Sequence, residues 1–196
     1  MKIRTLFAAS LLLSGLAAPA LAHTYLFAVS LSGPNEFPVN ASPGTGSGMV
    51  TFDMDLATLR VEVSFSGLIG NTTNSHIHCC TSAPGFQNAG VATMTPTFLG
   101  FPSGVTSGSY DATFNLGVAS SYNAAFVTAN GGTPGSAMNA LLAGAQAGKA
   151  YLNIHSSSFP GGEIRGFLMP VPEPETYALM GLGLAVVGAA AKRRRA

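Results

Sequence analysis

The chain has no tryptophan, two cysteines and four histidines in 196 residues, and only 9% of its residues are charged. A charge content this low leaves no basic face or stripe for nucleic acid. The two cysteines, Cys79 and Cys80, are adjacent, which excludes a Cys-x-x-Cys redox pair and any disulfide to a distant third cysteine. Also missing are a nucleophile elbow, a phosphate-binding glycine loop and a Ser/His/Asp pattern. The acidic residues are scattered, and none stands beside Glu163 to form the paired carboxylates of a hydrolase. These absences point away from an enzyme. No internal repeat is visible.

Apolar residues are plentiful: they make up 47% of the chain, and the mean hydropathy is +0.36. Much of that excess sits at the two ends. Lys2 and Arg4 precede the apolar run "LFAASLLLSGLAAPA", and Ala20-Leu21-Ala22 fits the small-x-small cleavage rule. Residues 1–22 are therefore expected to be a signal helix, cleaved after Ala22. At the other end "VPEPETYALMGLGLAVVGAAAKRRRA" joins a Pro/Glu motif to an apolar run from Tyr177 to Ala191 and a basic cluster from Lys192 to Arg195. The run is shorter than the roughly 20 residues that span a bilayer comfortably. The arginines would still hold the extreme C-terminus in the cytoplasm. A transmembrane helix that is marginal but carries a stop signal suits transient anchoring at the inner membrane.

This tail resembles the PEP-CTERM sorting signal of Gram-negative bacteria, carried here by Pro172, Glu173 and Pro174, the short apolar helix, and Arg193, Arg194 and Arg195. The resemblance implies recognition and cleavage by a membrane exosortase, followed by delivery to the cell surface or the extracellular polymer matrix. With both ends set aside, three basic residues (Arg60, Lys149, Arg165) face six acidic ones (Glu36, Asp53, Asp55, Glu62, Asp111, Glu163). The central domain is thus mildly acidic, although the whole chain carries +1.

Between His23 and Met169 strand patterns dominate. "TYLFAVSLSG" places Tyr25, Phe27, Val29 and Leu31 on one face, and "LRVEVSFSG" alternates Leu59, Val61, Val63 and Phe65 with polar residues. The run "MVTFDMD" before it should form a hairpin with it through a short connection. "SHIH", "YDATFNL", "KAYLNIH" and "GEIRGFLM" supply further strands, and "NASPGTGSG" and "TPTFLGFPSG" read as loops. One helix is expected in "SAMNALLAGAQAG", capped by Ser136 and stopped by Gly148. The expectation is an all-β antiparallel sandwich with one short helix, in three segments: 1–22, 23–169 and 170–196.

"LSGPNEFPV", "GLIGNTTNSHIH" and "AYLNIHSSSFPGGEIRGFL" together resemble the CHRD domain over about residues 26–169. The resemblance implies an extracellular immunoglobulin-like β domain acting as a structural or binding module. Exopolysaccharide and other surface proteins are the partners it suggests.

Two imidazoles at i and i+2 of a strand share a face about 6.5–7 Å apart along the chain, so His76 and His78 could share a copper or zinc ion. His155, in another strand, is the natural third ligand. If "NIH" and "GEIRG" pair, Asn153 lies opposite Arg165 and His155 opposite Glu163, which could ligate the metal or orient His155. The Gly-Leu turn before a His-x-His strand also resembles copper/zinc superoxide dismutase. Those enzymes use six histidines and an aspartate for two metals, so dismutase chemistry is not expected from four histidines. The alternative is that the histidines bond loop backbone. His23, the first residue after the expected cleavage, could chelate copper through its amine and ring. Cys79 and Cys80 leave three options in an oxidising compartment: a vicinal disulfide, free thiols, or metal ligation. Glu36, Glu163 and Arg165 are expected to form an ion pair fastening the first strand to the last.

Overall fold

The computed structural model describes residues 23–172, together with 181, 183 and 184. The expected signal helix and nearly all of the expected transmembrane helix lie outside the described residues. Among the described residues no helix is long and apolar enough to cross a membrane.

Alternation builds the first half of the fold. Strand β1 (Thr24–Ser32) buries Phe27, Val29 and Leu31, and β3 (Thr58–Ser66) buries Leu59, Val61, Val63 and Phe65. Between them β2 (Thr45–Asp53) pairs antiparallel with both, and β3 pairs in turn with β5 (Gly108–Asn115). The hairpin expected between β2 and β3 is present, with Asp53 opposite Thr58. β2 starts earlier than the sequence suggests, running through the "TGSG" read as loop. Gly48 is glycine because the strands approach closely here: a Cβ would collide with the Glu62 carbonyl oxygen.

The second half contains β4 (Thr72–His78), β6 (Tyr151–Ser156) and β7 (Ile164–Phe167), with β6 in the middle. β6 is buried along its whole length, so both of its faces are covered. The halves join where Ser32 of β1 meets Arg165 of β7; the short β8 (Met169–Pro170) continues along β1 in the same register. The expected sandwich of two sheets is therefore one continuous antiparallel sheet, ordered β4-β6-β7-β1-β2-β3-β5 and curled. Strand twist lets the two arms curl around a shared interior. Phe27, Val50, Phe52 and Val61 from one arm and Ile77, Leu152, Ile154 and Ile164 from the other belong to one apolar core.

Residues 23–172 contain two α-helices where one was expected. The short α1 (Ala124–Ala129) is capped by the Asn123 side chain, and α2 (Pro134–Gln146) is the anticipated helix. Its cap is Thr133, not Ser136: the Thr133 hydroxyl accepts from the Ser136 amide, and the Ser136 hydroxyl takes the bond from the Thr133 N–H. Pro134, with its fixed φ and missing N–H, begins the helix, and Gly148 follows it at φ +65°.

Candidate metal centre

The alternation that sends Ile77 into the core turns His76 and His78 to the opposite face of β4. On β6 the same alternation buries Leu152 and Ile154 in the core and sets Tyr151, Asn153 and His155 on the histidine side. The register pairs His76 with Asn153, His78 with Tyr151 and Asn74 with His155. His155 is therefore the diagonal neighbour of His76, within reach of an aromatic side chain. The ring centroids of His76 lie 4.7 Å from those of both His78 and His155, and the latter two are 6.0 Å apart. One nitrogen from each ring can be chosen so that all three lie within 4.8 Å of one another. All three residues are buried, at 5%, 9% and 7% exposure.

Their hydrogen bonds determine which nitrogens remain free. The Nδ1 of His78 is 2.8 Å from the Ala89 carbonyl oxygen, and the Nδ1 of His155 is 2.8 Å from that of Pro160. A carbonyl only accepts, so each Nδ1 carries the hydrogen and each Nε2 keeps its lone pair. These Nε2 atoms, and Nδ1 of His76, are buried without a partner. Burial and the neighbouring His78 and His155 imidazoles lower His76 to about 3, against a hydrogen bond to the Pro96 backbone. For His78, burial is the main cause of a pKa of about 4, opposed by the Ala89 carbonyl and assisted by His155 and Arg165. Burial lowers His155 as well, against the Pro160 carbonyl. At neutral pH the cluster presents three uncharged donors with second nitrogens held by backbone, the form in which imidazole binds metal. Bonds of ~2.0 Å to one ion would set the nitrogens about 3.5 Å apart, a modest contraction of the observed cluster.

The other expected site residues divide differently. Asn153 does stand opposite Arg165. Arg165 donates from Nε to the Asn35 carbonyl and from Nη1 to the Gln87 carbonyl and Asn88 Oδ1; its guanidinium lies 4.6 Å over the Tyr151 ring. Tyr151 in turn stacks on His78 at 4.7 Å, so the arginine and the histidine share one aromatic plate. Arg165 pairs with Glu36 at 3.9 Å. Burial pushes the Glu36 carboxyl up to about 7 against the opposing Arg165 charge.

Glu163 leaves both roles assigned to it. Its carboxylate accepts from Ser42 Oγ at 2.7 Å and from the Ile69 and Gly70 amides. It neither shares the Arg165 pair nor orients His155, whose Nδ1 is on Pro160. Burial raises its pKa, but these bonds, with one from Ser156, outweigh burial and leave it below the usual range. Alternation indicates a side chain's face, but it could not reveal hydrogen-bond partners supplied by irregular loops. The carbonyls of Ala89 and Pro160 were missed for the same reason; Tyr151, in β6, was legible, since "YLNIH" places it on the His155 face.

Cys79 and Cys80 are joined in a vicinal disulfide against Gly144 of α2 and do not belong to the histidine cluster. His23 is not in the cluster either; exposed, it pairs with Asp55 at 3.1 Å. Pro172 is exposed, and Glu173, Pro174 and Arg193–Arg195 lie outside the described residues.

The fold and this cluster define a β domain with a buried polar face, followed by a separate C-terminal segment. The family model for the CHRD domain matches residues 27–168, and the chain belongs to that family. The model for the PEP-CTERM protein-sorting motif matches residues 170–195, which implies export, membrane anchoring before processing, and recognition by an exosortase. No curated protein and no solved structure matches the chain.

Proposed function

We propose that this exosortase-sorted protein displays a non-enzymatic metal-binding domain at the cell surface or in the extracellular matrix, with one copper or zinc ion held by His76, His78 and His155. One observation carries the reading: three buried imidazoles cluster with one nitrogen of each within 4.8 Å of the others, and each ring keeps a buried nitrogen with no partner among the described residues. An unpartnered buried acceptor costs about 1–3 kcal/mol, and three in one place are difficult to explain as structure alone. The bland alternative, histidines bonded to loop backbone, accounts for the Nδ1 contacts of His78 and His155 but not for the buried nitrogen that each ring leaves unpartnered.

A structural or binding role toward exopolysaccharide or surface proteins is compatible with this. It draws support from exposed Phe37, Val39 and Phe86, the two phenylalanine rings packed edge to face at 5.1 Å.

The metal reading is tested by purifying the exported protein from a periplasmic extract and measuring bound copper and zinc. Approximately one equivalent is expected, falling to background in a His76→Ala/His78→Ala variant. Metal far below one equivalent, unchanged by the substitutions, would overturn the reading.

A further inference from the structure

Resting on that reading, we infer that the cluster selects a monovalent soft cation, copper in the cuprous state, over zinc(II) and copper(II). The donor set is the first argument. Three neutral imidazoles converge, and no carboxylate or thiolate joins them among the described residues. The vicinal disulfide keeps both cysteines from serving as thiolates. Cuprous copper is satisfied by three donors in a trigonal plane. Zinc(II) in comparable sites completes a tetrahedron with water or an anion.

Burial is the second argument. The desolvation cost of an ion grows with the square of its charge, so a dication pays roughly four times what a monocation pays in the same dry site. With no anionic ligand, the dication would keep its full charge among side chains only 5–9% exposed.

The local field is the third. Arg165, itself 2% exposed, stacks on Tyr151, and Tyr151 stacks on His78, which places a buried cation one aromatic ring away from the ligand set. Its counter-charge is weak: Glu36 is 3.9 Å away and substantially protonated near neutrality. The ionised carboxylate of Glu163 is taken up by Ser42 and the Ile69 and Gly70 amides. Each added unit of positive charge on the metal is therefore opposed, and the univalent state is opposed least.

The test is competitive titration of the full exported chain under anaerobic conditions. Cuprous copper is buffered by bicinchoninate, and zinc(II) and copper(II) by chelators of known affinity. One equivalent of cuprous copper, bound at least a hundredfold more tightly than zinc(II) and more tightly than copper(II), is expected, with no paramagnetic signal from the copper-loaded protein. Equal or tighter binding of zinc(II) or copper(II) at the same histidines would overturn the selectivity and leave the metal site standing. Failure of all three ions to bind would overturn both.

Discussion

Glu163 is wholly buried and still ionised, because its oxygens accept from the Ser42 hydroxyl and from the Ile69 and Gly70 amides. Replacing it with glutamine keeps the shape but turns one acceptor into an NH2 facing an N–H or O–H donor. Charged hydrogen bonds contribute about 1.5–3 kcal/mol each, so Glu163→Gln is expected to lose about 2–4 kcal/mol. A lower urea midpoint at unchanged slope checks this; a midpoint within error of the parent would contradict it. The contrast with the histidines shows what sequence can convey at this scale. His76, His78 and His155 were legible because period-two alternation fixes a face and strand pairing fixes a neighbour. Glu163 was misassigned to the Arg165 pair because Ser42, Ile69 and Gly70, which donate to it, come from the 40–44 and 67–71 connections, where no periodicity constrains position.

At the scale of elements, the strands with clean alternation were legible nearly to the residue, as β3 shows. The glycine-rich start of β2 was not, since glycines selected for close strand approach look the same as glycines of a loop. α1 was missed because its six residues are too few to establish a helical period. α2 was found, and its packing yields a test. Gly144 lies in its last turns where a Cβ would collide with both sulfurs of the Cys79–Cys80 bridge. Glycine normally costs a helix about 1 kcal/mol relative to alanine, so Gly144→Ala would stabilise a free helix. Here the overlap is with a rigid bridge, and overpacking costs about 1–3 kcal/mol. Net destabilisation of the oxidised protein is expected. A thermal midpoint raised by the substitution would show that the bridge does not pack against this helix as described.

At the scale of the whole molecule, the curled sheet encloses an apolar core on one side of β6 and a buried layer of ionisable groups on the other, so the stability of the metal-free protein must depend on pH. His76, His78 and His155 ordinarily titrate near 6.5, but in the fold the first two fall to about 3 and 4, and the third is lowered as well. Groups with depressed histidine pKa values contribute stability above pH 6.5, and that contribution is lost progressively as pH falls toward their folded values, because only the unfolded chain takes up the protons. Glu36 acts in the opposite sense. Raised from 4.5 to about 7, it holds a proton in the fold that the unfolded chain releases, so its contribution is present below 4.5 and is lost as pH rises through 7. Near pH 5.5 unfolding should take up nearly two protons at His76 and His78, with further uptake at His155, and release one from Glu36. A net uptake of at least one proton corresponds to a loss of about 1.4 kcal/mol or more for each unit of acidification. Urea midpoints of metal-free protein measured from pH 6.5 to 5.0 should fall on that slope, and a His76→Gln/His78→Gln variant should fall much less. A flat profile in the parent would mean that the three imidazoles are hydrated, and the buried donor cluster would go with it.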